Sequence, residues 1–546
     1  MAEENPEGFC VRNVETRPRA HSRRPLRIAH RAKRKSRHIK QTENSPPPLV
    51  PIYQLGTSIP VAEMNVEEVP TGLFIGGSFR PAASGATFSV LDPATDRIVA
   101  TVAQGSASDA REAVGAASEA LLLWRSLTGP ERAGHLRSLF DLVCNRREWI
   151  ASIITAEEGK PLAEARGEVD YGAGFLEWAA EEARRVGGET ISASDAGKRI
   201  AVLHQGIGVT GAVTPWNFPL AMITRKLGPA LAAGCTQVIK PASQTPLTAL
   251  ALCSLVVEAG FPPGTVNLVM GPAAEIVETW FADPAVRKVS FTGSTEVGQQ
   301  LIRLSARNIT RLSLELGGHA PVIVFEDADL DLAVSEAVRG KFRNSGQSCI
   351  SPNRYYVADQ IYPEFVERFA AEASELVIGP GSAPDVEIGP LIDDRAVEKV
   401  QAHVADAVAR GARLVCGGAL ADVGQGYTAR FYQPTVLADV DHSMMVSRQE
   451  TFGPVAPVAR FRHEKEVIDW ANDTPYGLAG YLFTRDLARA TRVSEALDCG
   501  IIGINDCLPS AAQAPFGGMK HSGYGREGGA YAMHEYLITK YLSTRI

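Results

Sequence analysis

The sequence predicts an α/β protein, with a doubly wound, Rossmann-type parallel sheet followed by a second α/β unit. Two observations carry this. Between residues 208 and 306, apolar runs at 209–213, 236–239, 266–269 and 288–291 alternate with helical patterns at 221–233, 246–259, 273–281 and 295–306. The runs are almost continuously apolar, as parallel strands buried on both faces are. With 546 residues, 45% of them hydrophobic, the chain has material for two or three domains.

Taken in order, residues 1–63 stand apart. Basic residues crowd positions 12–40, including Arg31, Lys33, Arg34 and Lys35, and Pro46-Pro47-Pro48 follows. Few apolar side chains are present to bury, so this extension is expected to be disordered. Glu3, Glu4 and Glu7 argue against an organelle-targeting peptide. A polyanion-binding arm, or translation from Met64, accounts for it better. Beyond it, Gly76-Gly77-Ser78 and the stretch from Leu91 to Thr95 mark turns between short strands. Apolar spacing predicts helices over 107–127 and 130–157. Residues 184–209 are strand-like, with turns at Gly187-Gly188 and Asp195-Ala196-Gly197. The stretch from Glu535 to Leu542 is also expected to be a strand.

Composition excludes several functions. A net charge of −7 makes nucleic acid or an acidic membrane an unnatural partner for the whole chain. Eight cysteines occur singly, without a CxxC pair, which suits a reducing compartment and argues against a disulfide framework or a zinc site. No apolar run reaches membrane-spanning length.

Three stretches carry chemistry. Phe342-Arg343-Asn344-Ser345-Gly346-Gln347-Ser348-Cys349 presents a lone cysteine after a glycine and two polar residues. A thiolate is a strong nucleophile but needs a base or an electropositive seat, and a lone cysteine is more often a small core residue. Glu315, before Gly317-Gly318, is a carboxylate at the end of an apolar segment. Asn217, in Thr214-Pro215-Trp216-Asn217-Phe218-Pro219, offers an amide donor for an oxyanion, or simply opens a turn. Two strand ends suit a nucleotide. Lys240, with Ser243 three residues on, can donate to ribose or phosphate. Gly293-Ser294, in Phe291-Thr292-Gly293-Ser294-Thr295-Glu296-Val297-Gly298, opens a helix whose free N–H groups favour a pyrophosphate.

Together these stretches, in the order Asn217, Glu315, Cys349, resemble the aldehyde dehydrogenase superfamily from about Gly72 to the C-terminus. Within it they are most similar to the succinate-semialdehyde dehydrogenases. The resemblance implies an aldehyde dehydrogenase-like fold, with a dinucleotide-binding domain (64–184 and 207–317), a catalytic domain (318–517) and β oligomerisation strands (185–206 and 530–546). It implies Cys349 as nucleophile, Glu315 as general base and Asn217 as oxyanion donor. Trp216, Lys240, Ser243, Gly293, Ser294, Leu316, Glu450 and Phe452 would bind the cofactor, and Arg225, Arg343 and Ser510 the distal carboxylate of a semialdehyde. NADP is the expected cofactor, with NAD possible, because Ser243 stands where NAD-preferring relatives carry a glutamate. A soluble cytoplasmic homodimer or homotetramer is expected. Departures from the family pattern are Ser351, where some relatives have a second cysteine, and Asp506 and Cys507, which leave pocket size open. His319 is expected to face the surface. A broad neutral-aldehyde dehydrogenase is the alternative activity, and a catalytically silent member of the fold the non-enzymatic one.

Replacing Ser243 by glutamate should shift kcat/KM from NADP towards NAD by at least about tenfold, because a carboxylate repels a 2′-phosphate. A wild-type preference for NAD, left unchanged in the variant, defeats the assignment.

Overall fold

The computed structural model describes residues 66–546; the expectations for residues 1–63 lie outside them. A first sheet has eight strands in the order Gly523–Tyr524, Arg311–Glu315, Val286–Thr292, Val209–Val213, Thr236–Lys240, Val266–Leu268, Leu73–Ile75 and Ser78–Arg80. The five strands from Arg311–Glu315 to Val266–Leu268 run parallel, and the pairings at both edges are antiparallel. The chain passes from the Val209 strand outward through Thr236 and Val266. It then returns to the other side of the Val209 strand as Val286–Thr292. This reversal makes a switch point between the Val209 and Val286 strands, whose C-terminal ends open a crevice.

All four expected crossover helices form, as Ala221–Ala232, Leu247–Glu258, Ala273–Ala282 and Thr295–Ser305. Two buried acids cap the first two. Glu168 accepts from Leu220 N (2.9 Å), and Glu157 from Leu247 N (2.6 Å) and Thr248 N (2.9 Å). Each carboxyl satisfies N–H groups that the helix leaves unpaired, and burial pushes that of Glu157 up to about 8.

A second sheet of seven strands follows, in the order Arg413–Cys416, Thr435–Ala438, Val455–Phe461, Pro352–Ala358, Ala320–Val324, Ala479–Phe483 and Ile501–Ile504. All its pairings are parallel except at the Arg413 edge. The helix Leu330–Phe342 ends directly before the Cys349 loop. One apolar core joins residues of the first sheet from Val66 to Leu316 with Met533, Tyr536 and Leu537; another gathers under the second sheet. A third, three-stranded sheet pairs Leu537–Arg545 with Lys198–Gly206, which pairs in turn with Gly188–Ile191.

Three elements depart from expectation. The helix over 130–157 is two helices, Gly129–Asn145 and Arg147–Glu158, because Arg146 (φ −101°, ψ 20°) leaves helical geometry. The buried positions Leu136, Leu139, Val143, Ile150 and Ile154 keep helical spacing across the break, so no local signal marks it. A 22-residue helix, Leu162–Ala183, was not anticipated. Glu535 and Tyr536 end the helix Gly529–Tyr536, so the terminal strand starts at Leu537.

Candidate active site

The site begins with backbone geometry. Asn344 (φ 52°), Ser345 (φ 54°) and Gly346 (φ 74°) are consecutive left-handed residues. Each non-glycine residue held so costs about 1–2 kcal/mol and persists only when its surroundings hold it. Asn344 N donates to Glu164 Oε2 (2.7 Å) and Asn344 Nδ2 to the Asn217 carbonyl (3.0 Å). Ser345 Oγ donates to Gly389 O (2.9 Å), and Gln347 Oε1 accepts from Ile392 N (3.0 Å). Beyond the cysteine, Tyr481 Oη donates to Ile350 O (2.6 Å). Gly346 must lack a side chain, since a Cβ there would lie 2.2 Å from Gly453 O.

This loop puts its two ends in different cavities. Cys349 lines a cavity of about 340 Å³ at the switch point, with Trp216, Asn217, Gly293, Ser294, Leu316, Glu450 and Phe452. Phe342 and Arg343 line another, of about 650 Å³, with Glu164, Tyr171 and Ser510. Asn217 Nδ2 donates to Gln347 O (2.9 Å), which uses one of its two hydrogens and ties the amide to the cysteine loop.

Burial sets the ionisation. Cys349 is half-buried, and desolvation, reinforced by the nearby Glu450 carboxyl, pushes its thiol up to about 12. Glu315, the last residue of its strand, is 2% exposed. Neither of its oxygens has a hydrogen-bond partner among the described residues. Desolvation, then the charge of Glu527, raises its carboxyl well above the usual range. Glu527 is equally enclosed but is held below that range against its burial by Lys226 and Arg225. Lys226 Nζ pairs with Glu527 and donates to Thr292 Oγ1 (2.6 Å). The environments thus separate two carboxyls into one neutral and one ionised group.

Of the expected cofactor residues, the first cavity gathers Trp216, Gly293, Ser294, Leu316, Glu450 and Phe452, whereas Lys240 and Ser243 do not line it. Gly293-Ser294 begins the Thr295–Ser305 helix, with Ser294 Oγ accepting from Val297 N (3.4 Å). Gly298 lets that helix approach Leu316, which a Cβ would meet at 2.7 Å. Glu450 Oε1 accepts from Gly318 N (3.0 Å), and desolvation pushes its carboxyl up to about 7. Trp216 and Phe452 meet edge to face, 5.7 Å between centroids. Lys240 ends the neighbouring strand, its Nζ turned to Pro241 O (2.8 Å), and Ser243 is exposed in the loop beyond.

The carboxylate-binding candidates divide. Arg343 makes no ion pair or hydrogen bond among the described residues and covers the Phe218 ring at 4.9 Å. Ser510 Oγ is 2.5 Å from Tyr171 Oη in the same cavity. Arg225 is 1% exposed and lines neither cavity. Its Nε lies 2.7 Å from Glu527 Oε2 without hydrogen-bond alignment, its guanidinium covers Phe516 at 4.0 Å, and its Nη2 has no partner. It is therefore a structural ion pair with a spare donor.

His319 corrects an expectation: it is 2% exposed, not surface-facing. Burial, then the charge of Arg354, holds its imidazole well below its ordinary range, so it is neutral. Cys507 lies in the core against Gly340 rather than in the pocket, whereas Leu508 lines it. Sequence reasoning missed Glu164 and Tyr171, although Glu164, Gly167 and Tyr171 repeat at i, i+3, i+7, one face of a helix. It also missed Arg395 and Lys399, which line the first cavity four residues apart.

Fold and site define a class: a dinucleotide-linked enzyme with a thiol at the switch point of its cofactor sheet. The model of the aldehyde dehydrogenase family matches residues 79–542, and the chain belongs to that family. It is 52% identical over 468 residues to the NADP(+)-dependent succinate-semialdehyde dehydrogenase GabD of Escherichia coli (strain K12), covering 86% of this chain and 96% of that protein. It is 52% identical over 469 residues to a glutarate-semialdehyde dehydrogenase of Pseudomonas aeruginosa, with the same coverage. The crystal structure of succinate-semialdehyde dehydrogenase from Burkholderia pseudomallei matches with a TM-score of 0.86 at 49% identity, over 88% of this chain and 98% of that one.

Because burial disfavours the thiolate, iodoacetamide labelling of Cys349 in the nucleotide-free enzyme should be slow at neutral pH and still rising at about pH 9.5. Mass spectrometry of the Cys349 peptide reads it; a plateau below about pH 8 shows a thiol already ionised.

Proposed function

We propose that the enzyme oxidises a carboxylate-bearing semialdehyde, succinate or glutarate semialdehyde, to the dicarboxylic acid, with NADP preferred and NAD accepted. The observation that carries this is Arg343: a guanidinium that makes no ion pair or hydrogen bond among the described residues, in a cavity with the Tyr171–Ser510 hydroxyl pair and the Glu164 carboxyl that feels its charge, six residues before the cysteine. A guanidinium pairs with a carboxylate in bidentate fashion. Ser510 supplies a second donor on this reading, whereas Arg225 is buried against Glu527 and lines neither cavity. Relatives named for succinate and glutarate semialdehydes support the substrate class. One methylene separates those substrates, which a pocket distinguishes by only about 1–3 kcal/mol.

Trp216, Lys240, Ser243, Gly293, Ser294, Leu316, Glu450 and Phe452 would hold the dinucleotide, whose nicotinamide supplies the hydride acceptor. Cys349 Sγ, once its thiol proton has left to solvent, attacks the aldehyde carbon, and the second Nδ2 hydrogen of Asn217, with the Cys349 N–H, receives the oxyanion. Loss of hydride leaves a thioester on the sulfur. Glu315, once it has released its resting proton to solvent, takes a proton from the water that attacks this thioester, which releases the acid and restores the thiol. A carboxyl raised by burial suits that role, since its conjugate base is stronger than an ordinary carboxylate.

We assign the two large sheets to a cofactor domain (64–184 and 207–317) and a catalytic domain (318–517), and the third sheet to an oligomerisation arm. The free edge of Leu537–Arg545, with exposed Ile538, Tyr541 and Leu542, supports a homodimer or homotetramer. Single, free cysteines support a cytoplasmic location. Among the described residues no helix is long and apolar enough to cross a membrane.

Cys349→Ala should abolish turnover. Glu315→Gln should keep a rapid burst of reduced dinucleotide, close to one equivalent per site, and lose steady-state turnover by at least about a hundredfold. A Glu315→Gln enzyme with normal turnover refutes its role as base. Arg343→Ala should raise KM for succinate semialdehyde about 10- to 100-fold, the worth of a charge-assisted hydrogen bond, and leave butanal nearly unchanged. Equal effects on both aldehydes point to a neutral-aldehyde enzyme.

A further inference from the structure

Behind the oxyanion donor lies a buried cation that the mechanism above does not use. Lys160 is 2% exposed, on the turn between the Arg147–Glu158 and Leu162–Ala183 helices. Its Nζ lies 2.6 Å from Glu168 Oε2 and donates to the Asn217 carbonyl at 2.8 Å. It also stands 4.0 Å from the centroid of the Phe218 ring. That ring is the one Arg343 covers. The other oxygen of Glu168 caps the Ala221–Ala232 helix, which carries Arg225 and Lys226.

We propose that Lys160 is a positioning residue that aligns the oxyanion donor and the substrate-binding arginine through one ammonium. The argument is geometric. The Asn217 carbonyl accepts from both Lys160 and Asn344, so the peptide plane next to the catalytic amide is fixed by two charged or amide donors from separate elements. The three hydrogens of an ammonium match three acceptors here: a carboxylate, a carbonyl and an aromatic face. Removing the ammonium leaves Glu168 without its cation, frees the Asn217 carbonyl and loosens the ring beneath Arg343. A shift of about 1 Å in a transition-state donor costs on the order of a hundredfold in rate. Because the residue touches neither aldehyde nor dinucleotide, its effect must appear through Asn217 and Arg343.

This rests on the roles proposed for those two residues, and the test separates the two ideas. In the full-length enzyme, Lys160→Met should lower kcat about a hundredfold on both succinate semialdehyde and butanal. It should also raise KM for succinate semialdehyde about tenfold more than KM for butanal, and Lys160→Arg should recover most of both losses. NADPH fluorescence titration should remain unchanged, which distinguishes this from general loosening of the fold. Overturning results are a folded Lys160→Met enzyme with kcat within about twofold of wild type, an unaltered KM ratio, or weakened NADPH binding. If Lys160→Met does not fold, Glu168→Gln, which keeps the helix cap and weakens the ion pair, is read by the same criteria. A wild-type enzyme without preference for the carboxylated aldehyde defeats the proposed substrate instead, and the kcat comparison alone then decides the role of Lys160.

Discussion

Desolvation is the constraint on which this molecule turns. A thiol, three carboxyls and three cations are withdrawn from water, and each must be neutralised or paired. Glu527 is held ionised because Lys226 and Arg225 face it, and Glu168 is paired with Lys160. Glu315 has no such partner, so burial and the charge of Glu527 keep it protonated at rest. Cys349 is in the same position as a thiol. The ion pairs belong to the scaffold, and the two groups denied partners are those to which the proposed chemistry gives the covalent and proton-transfer steps.

The scaffold converts that constraint into geometry. Reversal of strand order opens the crevice, and the Gly293 turn and Asn217 occupy the two strand ends that flank it. The left-handed turn at Asn344 and Ser345 is paid for by hydrogen bonds to Glu164, Asn217 and Gly389. Those partners lie on other elements, so the cysteine loop is locked only when the rest of the chain has folded around it. The same loop gives Arg343 to one cavity and Cys349 to the other. A short backbone span therefore separates the group that would recognise the substrate from the group that would react with it.

Much of this was legible because it is local. Parallel strands buried on both faces leave continuous apolar runs, and all four in 208–306 form as expected. The motifs at Asn217, Gly293-Ser294, Glu315, Glu450 and Cys349 place those residues in or beside one cavity. Where periodicity misled, the reason is visible. The kink at Arg146 leaves the apolar repeat in phase, and the Leu162–Ala183 helix carries Tyr171 and Glu164 among alanines and glycines that give a weak pattern. His319 follows two glycines, as an exposed loop residue often does, yet the second sheet closes over it.

By itself the sequence determined the class of fold, since backbone periodicity and short turns are encoded within a few neighbouring positions, and the motifs around Asn217, Glu315 and Cys349 carried the resemblance to the family. Tertiary structure alone decided which charges are paired. Glu527 meets Lys226 across 301 positions, and Lys160 reaches Asn217 across 57. The reason is that a charge acquires its partner, and therefore its ionisation, from whatever the fold brings within a few ångströms, a property no local stretch of chain contains.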